Sequence, residues 1–103
     1  MKNRRDRIRL DLNNPVFQRH LFALTNEQKI RVLNSLEKIS GMEWGQLYRD
    51  TGLRWEAITQ RQDPHGNRLY SFRLGKAFRA MGFRDGEWLR IVSLHPDHDS
   101  AYK

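Results

Sequence analysis

The sequence predicts an α+β domain in which an N-terminal strand and a helical hairpin precede a three-stranded antiparallel meander, with the helices packed on one face of the sheet. Three observations carry this. Apolar and polar residues alternate near both ends of the chain, helix-capping signals bracket residues 13–41, and an Asp-Gly pair late in the chain marks a tight hairpin.

Ile8, Leu10 and Leu12 alternate with Arg9 and Asp11, the period of a short strand with one buried face. Asn13-Asn14-Pro15 supplies a cap and then a proline at the first helical position, where its missing N–H costs nothing. Val16, Phe17, Leu21, Phe22 and Leu24 give that helix an apolar face. Thr25 and Gln28 have capping-box spacing, so a second helix begins at Asn26, with Ile30, Leu33 and Leu36 and either Ile39 or Val32 as its stripe, and ends at Ser40-Gly41. A link this short predicts an antiparallel helical hairpin. Met42 to Gln60, rich in Trp and broken at Thr51-Gly52, reads as a broken helix or a wrapped loop. Asp63-Pro64-His65-Gly66-Asn67 is a polar turn.

From Leu69 the period of two returns. Tyr70, Phe72 and Leu74 alternate with Ser71 and Arg73, Gly75-Lys76 turns the chain into Ala77 to Arg84, and Asp85-Gly86 is expected as a type I′ turn into a strand from Glu87 to Leu94. Pro96 cannot continue that ladder. Arg73, Arg79 and Arg90 stand mid-strand, so some of them project from the open face of the sheet; parity alone does not say which.

The chain of 103 residues suits one domain, taken as residues 1–103. Nineteen Lys and Arg against twelve Asp and Glu leave a formal charge of +7, with Arg far commoner than Lys. Guanidinium forks match phosphate oxygens, so a polyanionic partner is expected, nucleic acid first. The absence of cysteine excludes disulfides, thiolate metal sites and cysteine nucleophiles. The basic start of the chain runs into alternating residues and not an apolar core segment, and no stretch is long enough to cross a bilayer; a soluble cytoplasmic protein with no membrane partner is the expectation.

The tail concentrates chemistry. His95-Pro96-Asp97-His98-Asp99 sets four ionisable side chains in five positions, and Tyr102 follows. His95 and His98 with flanking aspartates permit a metal, but a further ligand is lacking, so neither a metal nor another cofactor is expected.

Tyr70-Ser71-Phe72-Arg73-Leu74, then Ala77-Phe78-Arg79-Ala80, then a strand ending in a short polar segment that finishes Ser100-Ala101-Tyr102, together resemble the RelE/ParE superfamily of bacterial type II toxin–antitoxin toxins, from about Ile8 to Tyr102. The resemblance implies a RelE-like fold, helices against one side of a twisted antiparallel sheet. It also implies one of two activities: RelE-type members are endoribonucleases that cut mRNA on the ribosome, and ParE-type members poison DNA gyrase without that chemistry. Most are neutralised by an antitoxin, here expected to be an acidic protein. Carried over, Arg73 and Arg79 match basic residues of the family, Tyr102 the terminal tyrosine, and His95 or His98 a segment where relatives carry arginine or histidine. Ser71 departs from the pattern, standing where RelE has a lysine, as does the Trp-rich link.

Cleavage of RNA through its own 2′-hydroxyl needs a base, an acid for the departing 5′-oxygen and positive charge around the phosphorane. The ribonuclease expectation therefore assigns Arg73 and Arg79 to the phosphate, His95 or His98 to proton transfer, and Tyr102 to stacking or proton transfer. Lys76, Arg84, Arg90 and Arg68 are expected to hold the RNA backbone. The alternatives are a ParE-like binder with no chemistry and a nucleic-acid-binding domain of the same fold.

Overall fold

The computed structural model describes residues 6–96. In chain order the elements are β1 (Arg9–Asp11), α1 (Pro15–Phe22), α2 (Asn26–Ser40), α3 (Trp44–Arg49), β2 (Glu56–Gln62), β3 (Arg68–Arg73), β4 (Arg79–Asp85) and β5 (Trp88–His95). The strands form one mixed sheet in the order β1-β5-β4-β3-β2. β2 to β5 run antiparallel to their neighbours, and β1 joins β5 in parallel, Leu10 opposite Leu89.

Both long helices begin where their caps dictate. Asn14 Oδ1 accepts the Val16 and Phe17 backbone N–H groups at 2.8 and 3.3 Å, and Pro15 opens α1. Thr25 Oγ1 accepts the Gln28 N–H at 3.2 Å while Gln28 Oε1 accepts the Thr25 N–H at 3.0 Å, closing the expected box. The buried stripe of α2 differs from the expected one. Val32, Leu36 and Ile39 are buried, whereas Ile30 and Leu33 are 59% and 54% exposed. Successive i+3 steps drift backwards around a helix by about 60°. A row from Ile30 to Ile39 therefore sweeps half the circumference, and only its last members reach the core.

The middle segment is neither a broken helix nor a wrapped loop. Glu43 N–H donates to Gln46 Oε1 at 2.8 Å at the start of α3, and Asp50 Oδ1 accepts the Leu53 N–H at 2.9 Å after its end. Arg54, at φ 50°, then turns the chain into β2, so the antiparallel part of the sheet has four strands where three were expected. β2 is an edge strand, exposed over most of its length, and carries no alternation that a sequence reading could detect.

The β4–β5 turn also sits one residue later than expected. Asp85 pairs with Trp88, which leaves Gly86 and Glu87 as the central residues. Only Gly86 has positive φ, at 63°, the type II′ pattern and not type I′.

A bulge in β5 fixes which side chains face which way. Met81 pairs with Ser93 but Gly82 pairs with Ile91, so Val92 is an extra residue. Leu89 and Ile91 point to the core before it; after it the parity is reversed, so Leu94 points to the core and His95 to the opposite face. The core lies on the helix side of the sheet. There Phe17, Val32, Leu36, Ile39, Trp44 and Leu47 meet Phe72, Ala80, Leu89, Ile91 and Leu94. Among the described residues no helix is long and apolar enough to cross a membrane.

Candidate functional site

The sheet face turned away from the core carries two adjacent cross-strand rows. In one, Glu56 stands opposite Ser71, Ser71 opposite Met81, and Met81 opposite Ser93. In the next, Arg73 stands opposite Arg79 and Arg79 opposite His95. Strands are spaced about 4.8 Å apart, so the backbone positions of Arg73 and His95 are about 10 Å apart with Arg79 between them. Two side chains expected on the phosphate and one expected in proton transfer thus share one row, and the Val92 bulge brings the third, His95, into it.

His95 is tied to its neighbours. Its Nε2 lies 3.0 Å from Ser93 Oγ, and its ring stands edge-on to that of His20, centroids 6.2 Å apart. His20, on α1, accepts the Leu94 backbone N–H on Nδ1 at 3.1 Å. This closes the stretch of the β5 edge that β1, ending opposite Arg90, is too short to cover. With Nδ1 accepting, a neutral His20 carries its proton on Nε2. Sequence reasoning overlooked His20, because nothing in the local pattern of α1 separates a histidine that seals a sheet edge from a solvated one.

Arg73 and Arg79 make no hydrogen bond or ion pair with a side chain among the described residues. Among the described residues, Glu56 feels the charge of both arginines. Its carboxyl is held below the usual range first by the hydrogen bond from Arg54 Nε, 2.7 Å, and further by the fields of Arg54, Arg79 and Arg73. Lys76 is exposed in the β3–β4 loop, directly beyond the arginine row.

The remaining cations lie elsewhere. Arg90 is on the same face as the row but bridges two carboxylates, Asp85 through Nε at 2.9 Å and Asp11 through Nη1. Those two hydrogen bonds, Asp85 first, raise its pKa above the ordinary guanidinium value. It clamps β1 and the β4–β5 turn to β5. Arg84 pairs across the sheet with Leu89 and projects on the helix side, its guanidinium 4.6 Å from the centre of the Trp44 ring. Arg68, one residue before Leu69 at the start of β3, is exposed. His98 and Tyr102 fall outside the described residues. Among the described residues no group of three or more His, Cys, Asp or Glu side chains could hold a metal ion.

The row can stabilise a dianionic phosphorane. Two guanidiniums offer up to ten N–H donors in planar forks, and the imidazole beside them has ring nitrogens able to donate or accept a proton. No known protein family, curated protein or solved structure matches the chain.

Proposed function

We propose that the chain is a toxin of a type II toxin–antitoxin system, of the RelE-like branch, that cleaves mRNA by metal-independent acid/base catalysis. The observation that supports this best is the single row of Arg73, Arg79 and His95 on the face opposite the core. In the reaction the 2′-oxygen attacks the adjacent phosphorus and loses its proton to a base. The bond from phosphorus to the 5′-oxygen breaks, and that oxygen takes a proton from an acid, leaving a 2′,3′-cyclic phosphate and a 5′-hydroxyl. Arg73 and Arg79 stabilise the charge on the non-bridging oxygens, which peaks in the transition state. His95 serves one of the proton transfers, with Ser93 and His20 fixing its ring, and His98 and Tyr102 are assigned to the same site by the family resemblance. The cytoplasm, where mRNA and ribosomes are, is the place of action. An acidic antitoxin laid over the arginine row would neutralise both the charge and the site.

The test is primer extension on a translated message and on the same message without ribosomes, with chemical identification of the new ends. Cyclic phosphate ends at fixed codon positions, reduced about 10²- to 10³-fold by Arg79→Ala, are expected. Growth arrest that begins with DNA damage signalling and survives Arg73→Ala and Arg79→Ala would instead establish the gyrase-poisoning reading.

A further inference from the structure

On the helix side of the sheet, away from the arginine row, lies an open cleft of about 530 Å³ whose walls include Tyr48, Trp55, Asn67, Arg68, Tyr70 and Arg84. Its composition is unusual for a surface recess. Trp55 and Tyr70 are stacked, centroids 4.7 Å apart and planes 11° from parallel, and Tyr48, 49% exposed, sits at 6.3 Å from the Trp55 ring. None of the residues lining the cleft carries a carboxylate.

Arg84 is fixed in place. Its Nε donates to the Gly86 carbonyl at 2.8 Å, its Nη1 donates to Tyr48 Oη at 2.9 Å, and its plane rests over Trp44. The remaining guanidinium N–H groups are available to a ligand. Arg68 pairs with Gln62 through the backbone, its side chain has no hydrogen-bonded or ion-paired partner among the described residues, and the backbone beside it is anchored by the Asp63–Asn67 turn, where Asn67 Nδ2 donates to Asp63 Oδ2 at 2.9 Å.

We infer that this cleft binds one unpaired nucleotide of a single-stranded RNA. A nucleotide combines in one unit what the cleft offers: a flat ring for an aromatic wall and an anion for guanidiniums beside it. An acidic peptide would satisfy the arginines and leave the aromatic surface unfilled. The cleft is open, so the strand on either side of the bound nucleotide can leave through its mouth, and the charge of +7 favours a polyanion over a free mononucleotide. The choice of RNA over single-stranded DNA rests on the proposed function, but the site itself does not, because the cleft and the arginine row lie on opposite faces of the sheet.

The experiment is NMR titration of the full chain, following backbone amides and the three tryptophan indoles, with a 2′-O-methyl RNA hexamer that cannot be cleaved. Shifts at Tyr48, Trp55, Arg68, Tyr70 and Arg84 are expected. They should persist in the Arg73→Ala/Arg79→Ala double variant and need roughly tenfold more RNA in Arg68→Gln. Arg68 is exposed, so this variant keeps the fold, and an unchanged amide spectrum elsewhere verifies it. Shifts confined to the face of Arg73, Arg79 and Ser93 would overturn the proposal. So would shifts in the cleft produced by hexaglutamate and not by the RNA, or by adenosine 5′-monophosphate alone, or the absence of any shift at saturating RNA. Absence of cleavage of an unmodified message by the parent chain, with the cleft shifts intact, would refute only the catalytic reading.

Discussion

Replacing Gly82 with alanine tests the bulge that orients His95. A Cβ at this position would lie 2.5 Å from the Arg90 carbonyl oxygen and 3.3 Å from Ile91 Cα, both backbone atoms of β5. Neither can rotate away as a side chain would, so β4 must separate from β5 where the register shifts. Overpacking of this kind costs about 1–3 kcal/mol, offset by about 0.4–1 kcal/mol from the smaller entropy of the unfolded chain. The net loss should be about 1–2 kcal/mol, a fall in Tm of roughly 5–15 °C for a domain of this size. Gly41→Ala is the control. Its Cβ would meet nothing closer than Lys38 O at 3.7 Å, and its φ of −93° suits any residue. Thermal melts of the two variants should therefore differ clearly. A Gly82→Ala protein as stable as the parent would show that β4 and β5 are not in close contact at the bulge, and the placement of His95 beside Arg79 would lose its basis.

Two further outcomes follow from local geometry. Asp50 accepts the Leu53 N–H and pairs with Lys38 at 3.3 Å, and these contacts, the backbone hydrogen bond first, hold its carboxyl below the ordinary value of 3.8. A depressed folded pKa means the stabilisation is complete above the unfolded value and disappears as pH falls through the folded one. Urea melts should accordingly show Asp50→Asn destabilised at pH 7 and converging on the parent towards pH 2; a pH-independent gap would refute this. His20→Asn retains an acceptor for the Leu94 N–H and should melt near the parent, whereas His20→Ala should lose about 1 kcal/mol; equal melts would remove His20 from the β5 edge.

Sequence legibility followed burial and local hydrogen bonding. Thr25 and Gln28 announced α2 because both partners of the cap lie three residues apart, and the alternation of Tyr70, Phe72 and Leu74 announced the meander because Phe72 and Leu74 are buried in the core. β2 escaped notice because an exposed edge strand gains its stability from main-chain bonds that every sequence can make. The sites divided the same way. Arg73 and Arg79 were readable as strand residues, though they close β3 and open β4 where mid-strand positions were expected, but the face that His95 takes depends on Val92, and a bulge is a property of the pair of strands, invisible in either one alone. Arg84 was grouped with the RNA-holding cations on charge; its place across from Leu89 on the helix side follows from register alone.

Placing Arg73 directly opposite Arg79 works against the fold. Like charges facing each other across a strand pair destabilise it, by roughly 0.2–1 kcal/mol, and Glu56 lies diagonally to Arg73, one row away, and already carries a hydrogen bond from Arg54. A chain under selection for stability alone would put a neutral β-former at one of the two positions. Arg79→Thr should therefore raise the urea midpoint at low ionic strength, and the gain should shrink as salt screens the pair in the parent. The same substitution should abolish RNA cleavage. Stability rising while activity falls is the mark of a site whose charges are kept for a ligand. If Arg79→Thr lowers stability at every salt concentration, the guanidinium is a structural contact, and the arginine row ceases to be evidence for a phosphate site.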